Sequence, residues 1–402
     1  MHAFRHGHAT HPNWRQATEL VMAQLEAGTT DAAATDEPRL GLVYVTERFA
    51  ERLGDVATLL RERFPSVQWV GASSHGVCAA SIEYMREPAL VAMICELPAG
   101  SWTLFSEPGE LPGGARAADA PPAWTALVHA APASAQLAEE IASLATRVDT
   151  GFLFGGLIGG SDPRSPQLAG RMVHGGLSGV GFGESVRLLS RLTQGCAPLA
   201  REHVISECSL HYIHRLDDQP ALDVLLEDLG VPAEVRESRD GNEILRALPL
   251  ERLSRGLMIG LAPAEGERGI GFGDYAVVNV LGIDPQHRLL AVAATPSQGE
   301  RAVFCTRDRQ AARADLIRIC TELREEVESA SLQILGAHYV SCVARGEHLF
   351  GAPGAETGII AHNLGNVPLV GFFANGEIAR DRIYGYTGVL TLFVAPHEAA
   401  RT

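Results

Sequence analysis

Two stretches decide the fold, VGASSHGVCAA at residues 70–80 and VGFFANGEIAR at residues 370–380. Residues of the same type recur in register at Val70/Val370, Gly71/Gly371, Gly76/Gly376 and Ala79/Ala379. A strand and a helix are predicted before each stretch, and a further strand follows both at the same spacing. The repeat therefore predicts two related α/β halves, each with a βαβ-like unit whose last strand ends in a glycine turn.

The segments around the repeat predict the kind of sheet. Apolar periodicity predicts amphipathic helices over residues 51–64 and 309–329. Four short β-type runs separated by glycines predict an antiparallel meander; they cover residues 151–157, 171–174, 179–182 and 185–192. The expected fold class is α/β, with mixed, largely antiparallel sheets flanked by helices and a pseudo-twofold internal repeat.

The length of 402 residues exceeds what one ordinary core supports. We expect an N-terminal helix and loop over residues 1–37, a first domain over 38–215 and a second over 216–396. The N-terminus carries four histidines and is predicted to be a flexible segment rather than a metal site. These are His2, His6, His8 and His11.

Composition narrows the possible partners and cofactors. The formal net charge is −15, from 33 basic and 48 acidic residues, which disfavours nucleic acid as a partner. No apolar run reaches the length of a membrane span, so we expect no membrane partner and a cytoplasmic protein. The seven cysteines show no CxxC spacing, and the glycine runs lack the context of a nucleotide-binding turn. No metal and no cofactor are predicted.

The ordered motifs of this chain resemble the FIST family, with a FIST N half followed by a FIST C half. The resemblance is carried by HATHPNW at 8–14, WVGASSHGV at 69–77, GFLFGGL at 151–157, VPLVGFFANGEIA at 367–379 and YGYTGVL at 384–390. It implies a sensory module in signal transduction that binds small ligands such as amino acids. The family supplies no catalytic set to carry over, and Ala344 stands where a glycine is common.

Two loops of the C-terminal half form the strongest candidate site, because each follows a predicted strand and ligands bind at such strand ends in α/β sheets. In the loop at residues 342–346, Arg345 could clamp a carboxylate. In the loop at residues 372–377, Glu377 could bind an ammonium group and Asn375 could both donate and accept. The alternative is a structural ion pair between Arg345 and Glu377.

Further candidates surround these loops or occupy the matching N-terminal turn. Phe373 and Tyr384 could line the pocket, but core packing is the stronger expectation for at least one of the adjacent Phe372 and Phe373, and edge-strand packing is the alternative for Tyr384. Cys342 and Cys196 are candidate thiols, but buried structural cysteines are more common than reactive ones. The remaining candidates for ligand contacts are Gly376, Gln194, Ser73, Ser74 and His75.

These observations predict a small-ligand-binding sensory protein with a downstream signalling partner. Two alternatives stay open. One is a hydrolase or transferase that uses a cysteine or a carboxylate. The other is a protein-interaction scaffold without a small ligand.

Overall fold

A computed structural model describes residues 3–27, 37–111, 123–132, 134, 136–159, 165–238, 240–249, 256–264 and 275–397. Its helices are α1 Trp14–Ala27, α2 Leu53–Arg63, α3 Leu137–Ala145, α4 Ala221–Asp228, α5 Ala233–Arg236, α6 Gly241–Ala247, α7 Arg309–Ser329, α8 Gly346–Phe350 and α9 Ala355–Leu364. Its strands up to residue 194 are β1 Arg5–Thr10, β2 Arg39–Thr46, β3 Val67–Ser74, β4 Gly76–Ala79, β5 Ile82–Met85, β6 Ala89–Cys95, β7 Trp102–Phe105, β8 Thr125–Ala130, β9 Leu153–Leu157, β10 Pro166–Ala169, β11 Arg171–His174, β12 Leu177–Phe182 and β13 Arg187–Gln194.

The remaining strands follow in the second part of the chain. They are β14 Cys196–Pro198, β15 His203–Ser209, β16 Tyr212–Leu216, β17 Gln219–Pro220, β18 Met258–Ala262, β19 Ala276–Asp284, β20 Leu289–Val292, β21 Arg301–Arg307, β22 Leu332–Cys342, β23 Leu369–Ala374, β24 Glu377–Arg380, β25 Arg382–Tyr384 and β26 Thr387–Pro396. The chain forms two compact units. The first combines Met1–Thr193 with Leu316–Thr402, and the second is Gln194–Asp315.

The first unit contains three topologically equivalent modules. Each has a parallel strand pair with a helix between the strands: β2-α2-β3, β8-α3-β9 and β22-α9-β23. In each module an antiparallel strand, β6, β12 or β26, pairs with the first strand of the pair. The three sheet orders are therefore matched, as β1-β6-β2-β3-β10-β11, β7-β12-β8-β9-β24-β25 and β13-β26-β22-β23-β4-β5.

The modules are joined by an exchange of hairpins. The hairpin β4–β5 follows the first module but pairs with β23 of the third. The hairpin β10–β11 follows the second module and pairs with β3 of the first, and β24–β25 follows the third and pairs with β9 of the second. Each sheet is thus completed by strands from another module, which makes the three modules interdependent.

The α/β class with mixed sheets flanked by helices is confirmed, and both stretches of the repeat form a strand, a turn and a strand. The module repeat, however, occurs three times rather than twice. The predicted antiparallel meander over residues 151–192 is wrong, because its strands belong to three different sheets and β9 is parallel to β8. Within this range only β10 and β11 pair as sequence neighbours among the described strands, since the hairpin that they form crosses to the sheet of the first module.

One glycine in each module lets the parallel strands approach closely. A Cβ atom on Gly71, Gly155 or Gly371 would lie 1.7, 1.9 or 1.7 Å from a backbone oxygen of the neighbouring parallel strand. No side chain fits at that distance from main-chain atoms, which cannot rotate away. The recurring Val-Gly pair at residues 70–71 and 370–371 therefore reflects strand packing and not ligand binding.

We expect Gly371→Ala to lower the free energy of unfolding by about 3 kcal/mol, at the upper end of the usual cost of overpacking. The added methyl group would collide with the carbonyl oxygen of Tyr339. Gly358→Ala is the matched control, because a Cβ atom there meets nothing within 4 Å in helix α9. That control should gain up to about 1 kcal/mol from helix propensity. Urea denaturation of both variants tests the difference, and equal stability would contradict this packing argument.

The second unit is a closed antiparallel barrel. Six of its described strands form a ring in the order β21-β15-β16-β20-β19-β18, in which β18 pairs back with β21, while β14 pairs with β21 and β17 with β16 beside the ring. Every pairing around this ring is antiparallel. Apolar side chains such as Ile205, Leu290 and Phe304 are fully buried in its core. Closure leaves the ring without a free edge strand.

The N-terminal segment differs from the prediction of a flexible end. Residues 5–10 form β1, which pairs along its whole length with β6, and Phe4 is buried against Phe393. Helix α1 is present as expected, whereas residues 28–36 of the predicted loop lie outside the described part of the chain. In the part of the chain that is described, no helix is long and apolar enough to cross a membrane.

Candidate functional site

A buried polar cluster lies at the carboxyl ends of the parallel strands β22 and β23, and Glu356 is at its centre. Its Oε1 accepts from the Tyr339 hydroxyl at 2.6 Å and from Nε of Arg345 at 2.7 Å. Its Oε2 accepts from the Ser341 hydroxyl and the Gly346 backbone N–H, both at 3.0 Å. Tyr339 and Ser341 are two residues apart in β22 and therefore lie on the same face of the strand, from which both hydroxyls reach the same carboxylate. Four donors make Glu356 a fully satisfied structural anchor.

Arg345 is held inside this cluster. The residue is 1% exposed, its guanidinium lies 5.2 Å from the centre of the Phe350 ring, and Nη1 is 3.5 Å from the Thr193 carbonyl oxygen. Burial lowers the pKa of Arg345, but the Glu356 carboxylate more than offsets this, so the pKa lies above its ordinary value. Nη2 is buried and has no hydrogen-bond partner among the described residues. Arg345 therefore stays charged and keeps one unused donor.

Glu377 is completely buried at the start of β24. Its Oε2 accepts from the backbone N–H of Thr387 at 3.1 Å and from the Thr387 hydroxyl at 2.7 Å. Its Oε1 is buried without a hydrogen-bond partner in the described part of the chain. Burial raises the pKa of Glu377 to about 8, although Thr387, the charge of Arg345 and the Cys342 thiol act in the opposite direction. Glu377 is thus largely protonated at neutral pH.

Cys342 and Thr193 complete the group that we call the inner polar cluster, which consists of Arg345, Glu356, Glu377, Cys342 and Thr193. Burial and the nearby Glu377 raise the pKa of the Cys342 thiol well above its ordinary value. The Thr193 hydroxyl is buried and, within the described residues, unpartnered. Three residues of this cluster, Arg345, Glu377 and Thr193, therefore each carry a buried polar atom without a partner in the described part of the chain.

The other residues predicted around this site have different surroundings. Asn375 is exposed, and its backbone N–H donates to the Leu157 carbonyl oxygen at 3.3 Å. Gly376 forms the turn with a φ of +143°. Phe373 is completely buried, and Tyr384 is buried in β25 in register with Glu377. The two aromatic residues and the turn support the cluster through packing.

The matching N-terminal turn divides its three candidate residues between interior and surface. The Ser74 hydroxyl donates to the Phe373 carbonyl oxygen at 2.5 Å and so ties the first module to the third. The Ser73 hydroxyl is buried and has no partner among the residues described. His75 is partly exposed, with Nδ1 2.6 Å from Oε1 of Glu47, and it lines a surface cleft of about 660 Å³.

Gln194 and Cys196 belong to the second compact unit. The Gln194 backbone N–H donates to Oδ2 of Asp315 at 2.7 Å, and its side-chain Nε2 donates to the Tyr275 carbonyl oxygen at 3.0 Å. The Cys196 sulfur is completely buried and lies 3.8 Å from the sulfur of Met258. These contacts are typical of a structural role.

Several buried polar residues have no signal in the sequence. Glu356 and Thr193 were not singled out, although Glu356 is the carboxylate that pairs with Arg345. A second group lies between the modules, where the Tyr44 hydroxyl is 3.0 Å from Nε2 of His129 and 2.7 Å from Nε2 of His338. Burial lowers the pKa of both histidines to about 3, so both rings are neutral. The three residues come from β2, β8 and β22, and an alignment of three modules would have been needed to find them.

The fold and the cluster define a two-unit α/β protein with a buried polar site at the ends of parallel strands. The sequence matches the FIST N domain over residues 39–219 and the FIST C domain over residues 221–380. Because these matches cover most of the chain, the protein belongs to the FIST family. FIST domains are associated with sensory functions in signal transduction.

Two mycobacterial proteins are similar to this chain over nearly its whole length. An uncharacterized protein of Mycobacterium tuberculosis is 26% identical over 404 residues, covering 96% of this chain and 98% of its own length. An uncharacterized protein of Mycobacterium bovis is 27% identical over 407 residues, covering 98% of this chain and 99% of its own length.

Proposed function

We propose that this FIST protein is a cytoplasmic sensor that binds a small polar ligand, such as an amino acid, at the inner polar cluster. One observation carries the proposal. Arg345 Nη2, Glu377 Oε1 and Thr193 Oγ1 are all buried and lack a hydrogen-bond partner in the described part of the chain. Arg345 and Glu377 follow β22 and β23, where ligands bind in α/β sheets, and the carbonyl oxygen of Thr193, near the end of β13, lies 3.5 Å from Nη1 of Arg345.

Unused buried polar atoms are costly, which is why they point to a ligand. A buried donor or acceptor without a partner costs about 1–3 kcal/mol, and more when it is charged. Native proteins contain few such atoms, and each calls for an explanation. A small ligand that accepts from Arg345 and pairs with Glu377 and Thr193 would remove this cost. The binding free energy would therefore come from atoms that the protein leaves unsatisfied.

An amino acid suits this set of groups. Its carboxylate would accept from Nη2 of Arg345, and its ammonium group would donate to Oε1 of Glu377. Thr193 can donate or accept and would fit either end of the ligand. The sensory association of FIST domains supports a downstream signalling protein as the partner that responds to the bound state.

An enzyme that uses Cys342 is less well supported. A nucleophilic cysteine needs a depressed pKa that yields the thiolate. The pKa of Cys342 is instead raised by burial and by Glu377. The thiol adds polarisable surface to the cluster, and ligand binding does not require its ionisation.

Thr193→Val tests the site without disturbing the fold. Valine has the shape of threonine, and the lost hydroxyl has no partner among the described residues, so stability should be nearly unchanged or slightly higher. A thermal-shift screen with amino acids and small metabolites should identify ligands that raise the melting temperature of the wild type. Thr193→Val should bind such a ligand several-fold to about tenfold more weakly by calorimetry, because one hydrogen bond is worth about 1 kcal/mol.

Thr58→Val is the control, since Thr58 lies on the exposed face of α2 and donates to the Gly54 carbonyl oxygen. That variant should keep wild-type affinity. Arg345→Ala is a poor test, because it also leaves Glu356 buried without its cation. The proposal is abandoned if no compound in the screen stabilises the wild type, or if Thr193→Val and Glu377→Gln both bind with wild-type affinity.

A further inference from the structure

The surface cleft beside His75 is a second concave site, separate from the inner polar cluster. It lies where β2, β3 and β22 end, and it has a volume of about 660 Å³. That volume falls in the range of clefts that bind small molecules. The cleft is lined by residues from the first and third modules and from the β4–β5 hairpin, which pairs with β23. The site is therefore built at the carboxyl ends of parallel strands in two modules.

Basic side chains dominate this cleft, although the chain as a whole is acidic. Arg48, Arg86, His75 and His348 line it, and Glu47 is its one acidic residue. Glu47 is already engaged with His75 at 2.6 Å. Neither arginine has a carboxylate within ion-pair distance in the described part of the chain. Nη2 of Arg86 is instead 3.4 Å from Nε2 of His348. Two guanidinium groups thus face the cleft without a counter-charge.

The backbone conformation of Arg86 is a second observation that favours a functional role for this cleft. Arg86 has a φ of +65°, the left-handed region that a long side chain rarely adopts. Such strain costs on the order of 1 kcal/mol and is concentrated at functional sites. A glycine would adopt this backbone conformation at less cost, yet the turn holds an arginine that lines the cleft. Arg86 thus combines a strained backbone, a place in a cleft and a positive charge without a carboxylate partner among the described residues.

We propose that this cleft binds an oxyanion, either a phosphate group or a carboxylate, carried on a small metabolite. Guanidinium groups match both anions through paired N–H donors. A bound oxyanion would accept from Arg48 and Arg86, and from the Nδ1–H of His348, whose Nε2 accepts from Arg86. The volume leaves room for a molecule larger than the anion alone. This site does not depend on Glu377 or Thr193 and stands apart from the proposed sensor function.

Calorimetric titration with inorganic phosphate, phenyl phosphate and succinate tests the proposal and separates the two anion classes. We expect saturable binding of at least one probe. Arg48→Ala and Arg86→Ala should each raise its dissociation constant about tenfold or more, as expected for a charge-assisted hydrogen bond. Arg187→Ala removes the same charge from an exposed position on β13 and should leave the dissociation constant unchanged. Thr193→Val should also bind the anion normally.

Melting curves accompany each titration, and Arg48→Gln and Arg86→Gln replace any alanine variant that does not fold. Saturable binding by the wild type that both cleft variants weaken and Arg187→Ala preserves would support the site. The proposal is overturned if none of the three probes binds saturably. It is equally overturned if Arg187→Ala weakens binding as much as the cleft variants do, because the attraction would then come from overall charge.

Discussion

Glu356→Ala should lower the free energy of unfolding by about 3–5 kcal/mol, the usual cost of leaving a buried ion without its partner. Glu356 and Arg345 form an ion pair at 2.7 Å in which both side chains are completely buried. Alanine would leave the guanidinium charged, because an arginine does not release its proton at accessible pH. Chemical denaturation followed by circular dichroism measures the loss.

The size of this effect follows from the number of contacts that depend on one carboxylate. Besides Arg345, the hydroxyls of Tyr339 and Ser341 and the N–H of Gly346 all donate to Glu356. Removing their acceptor leaves several buried donors without partners, and each adds its own cost. The same carboxylate fixes β22, the loop that follows it and the start of α9. Loss of Glu356 should therefore disturb the cluster as well as the overall stability.

Two further variants identify the cause. Glu347→Ala removes an exposed acidic residue from the neighbouring helix α8 and should change stability by less than about 0.5 kcal/mol. The double variant Arg345→Met with Glu356→Gln removes both charges and should be more stable than Glu356→Ala alone. A loss below about 1 kcal/mol in Glu356→Ala, or a double variant that is no better, would show that the buried charge is not the dominant cost.

The sequence predicted elements whose signals are local. Helix α7 was expected over residues 309–329 and is found there, because its apolar stripe keeps one period through the whole helix. Helix α2 was likewise predicted within a few residues of its observed bounds, over residues 51–64. Periodicity and turn residues are properties of a single segment, so they survive without knowledge of its neighbours.

The sequence did not predict which strands pair with each other. Runs at residues 171–174 and 179–182 look like successive strands of a meander, yet β11 and β12 lie in different sheets. The hairpins of each module cross to another sheet, and no local pattern encodes that exchange. The third copy of the module was missed because only its two glycines, Gly155 and Gly160, match the repeat, whereas Phe154 and Pro163 stand where the other two copies have valine and alanine.

The candidate site was predicted in part. Position relative to a strand end identified Arg345 and Glu377, which the structure places in one buried cluster. The same logic could not distinguish them from Asn375, which is exposed, because burial is set by packing from other modules. Glu356 and Thr193 were missed, since a single buried carboxylate or hydroxyl has no sequence signature. Their roles emerge only from hydrogen bonds between distant segments.

The stability of this protein should fall as pH rises through the neutral range, and Glu377 should be a main cause. Burial raises the pKa of Glu377 from 4.5 to about 8. Between these two values the folded state holds a proton that the unfolded state has released. Folding is therefore favoured most below the unfolded pKa, and this contribution is lost as pH rises through the folded pKa.

Glu377→Gln isolates this effect. Glutamine keeps the shape and the carbonyl oxygen that accepts from Thr387, but it does not ionise. Each pH unit between the two pKa values corresponds to about 1.4 kcal/mol, so the variant should gain up to about 5 kcal/mol relative to the wild type between pH 4.5 and pH 8. Urea denaturation of both proteins at a series of pH values measures this difference directly, because contributions from other groups cancel.

The neighbours of Glu377 set the sign of the result. The two donors of Thr387, the charge of Arg345 and the Cys342 thiol all favour the carboxylate, yet burial outweighs the four together. A wild-type protein that loses stability no faster than Glu377→Gln across this range would mean that Glu377 is already ionised at low pH, with Arg345 as its effective counter-ion. Glu347→Gln, the same substitution at an exposed position of helix α8, is measured beside it as the reference for the chemical change alone. A rising advantage of Glu377→Gln alone would establish that the cluster holds a neutral carboxyl group at Glu377 beside the permanent cation of Arg345. The net charge of the cluster would then depend only on how far Glu356 cancels the charge of Arg345.

An ammonium group that binds at Oε1 would have to displace the proton of Glu377. The affinity for such a ligand should therefore increase with pH over the same interval in which the unliganded protein becomes less stable.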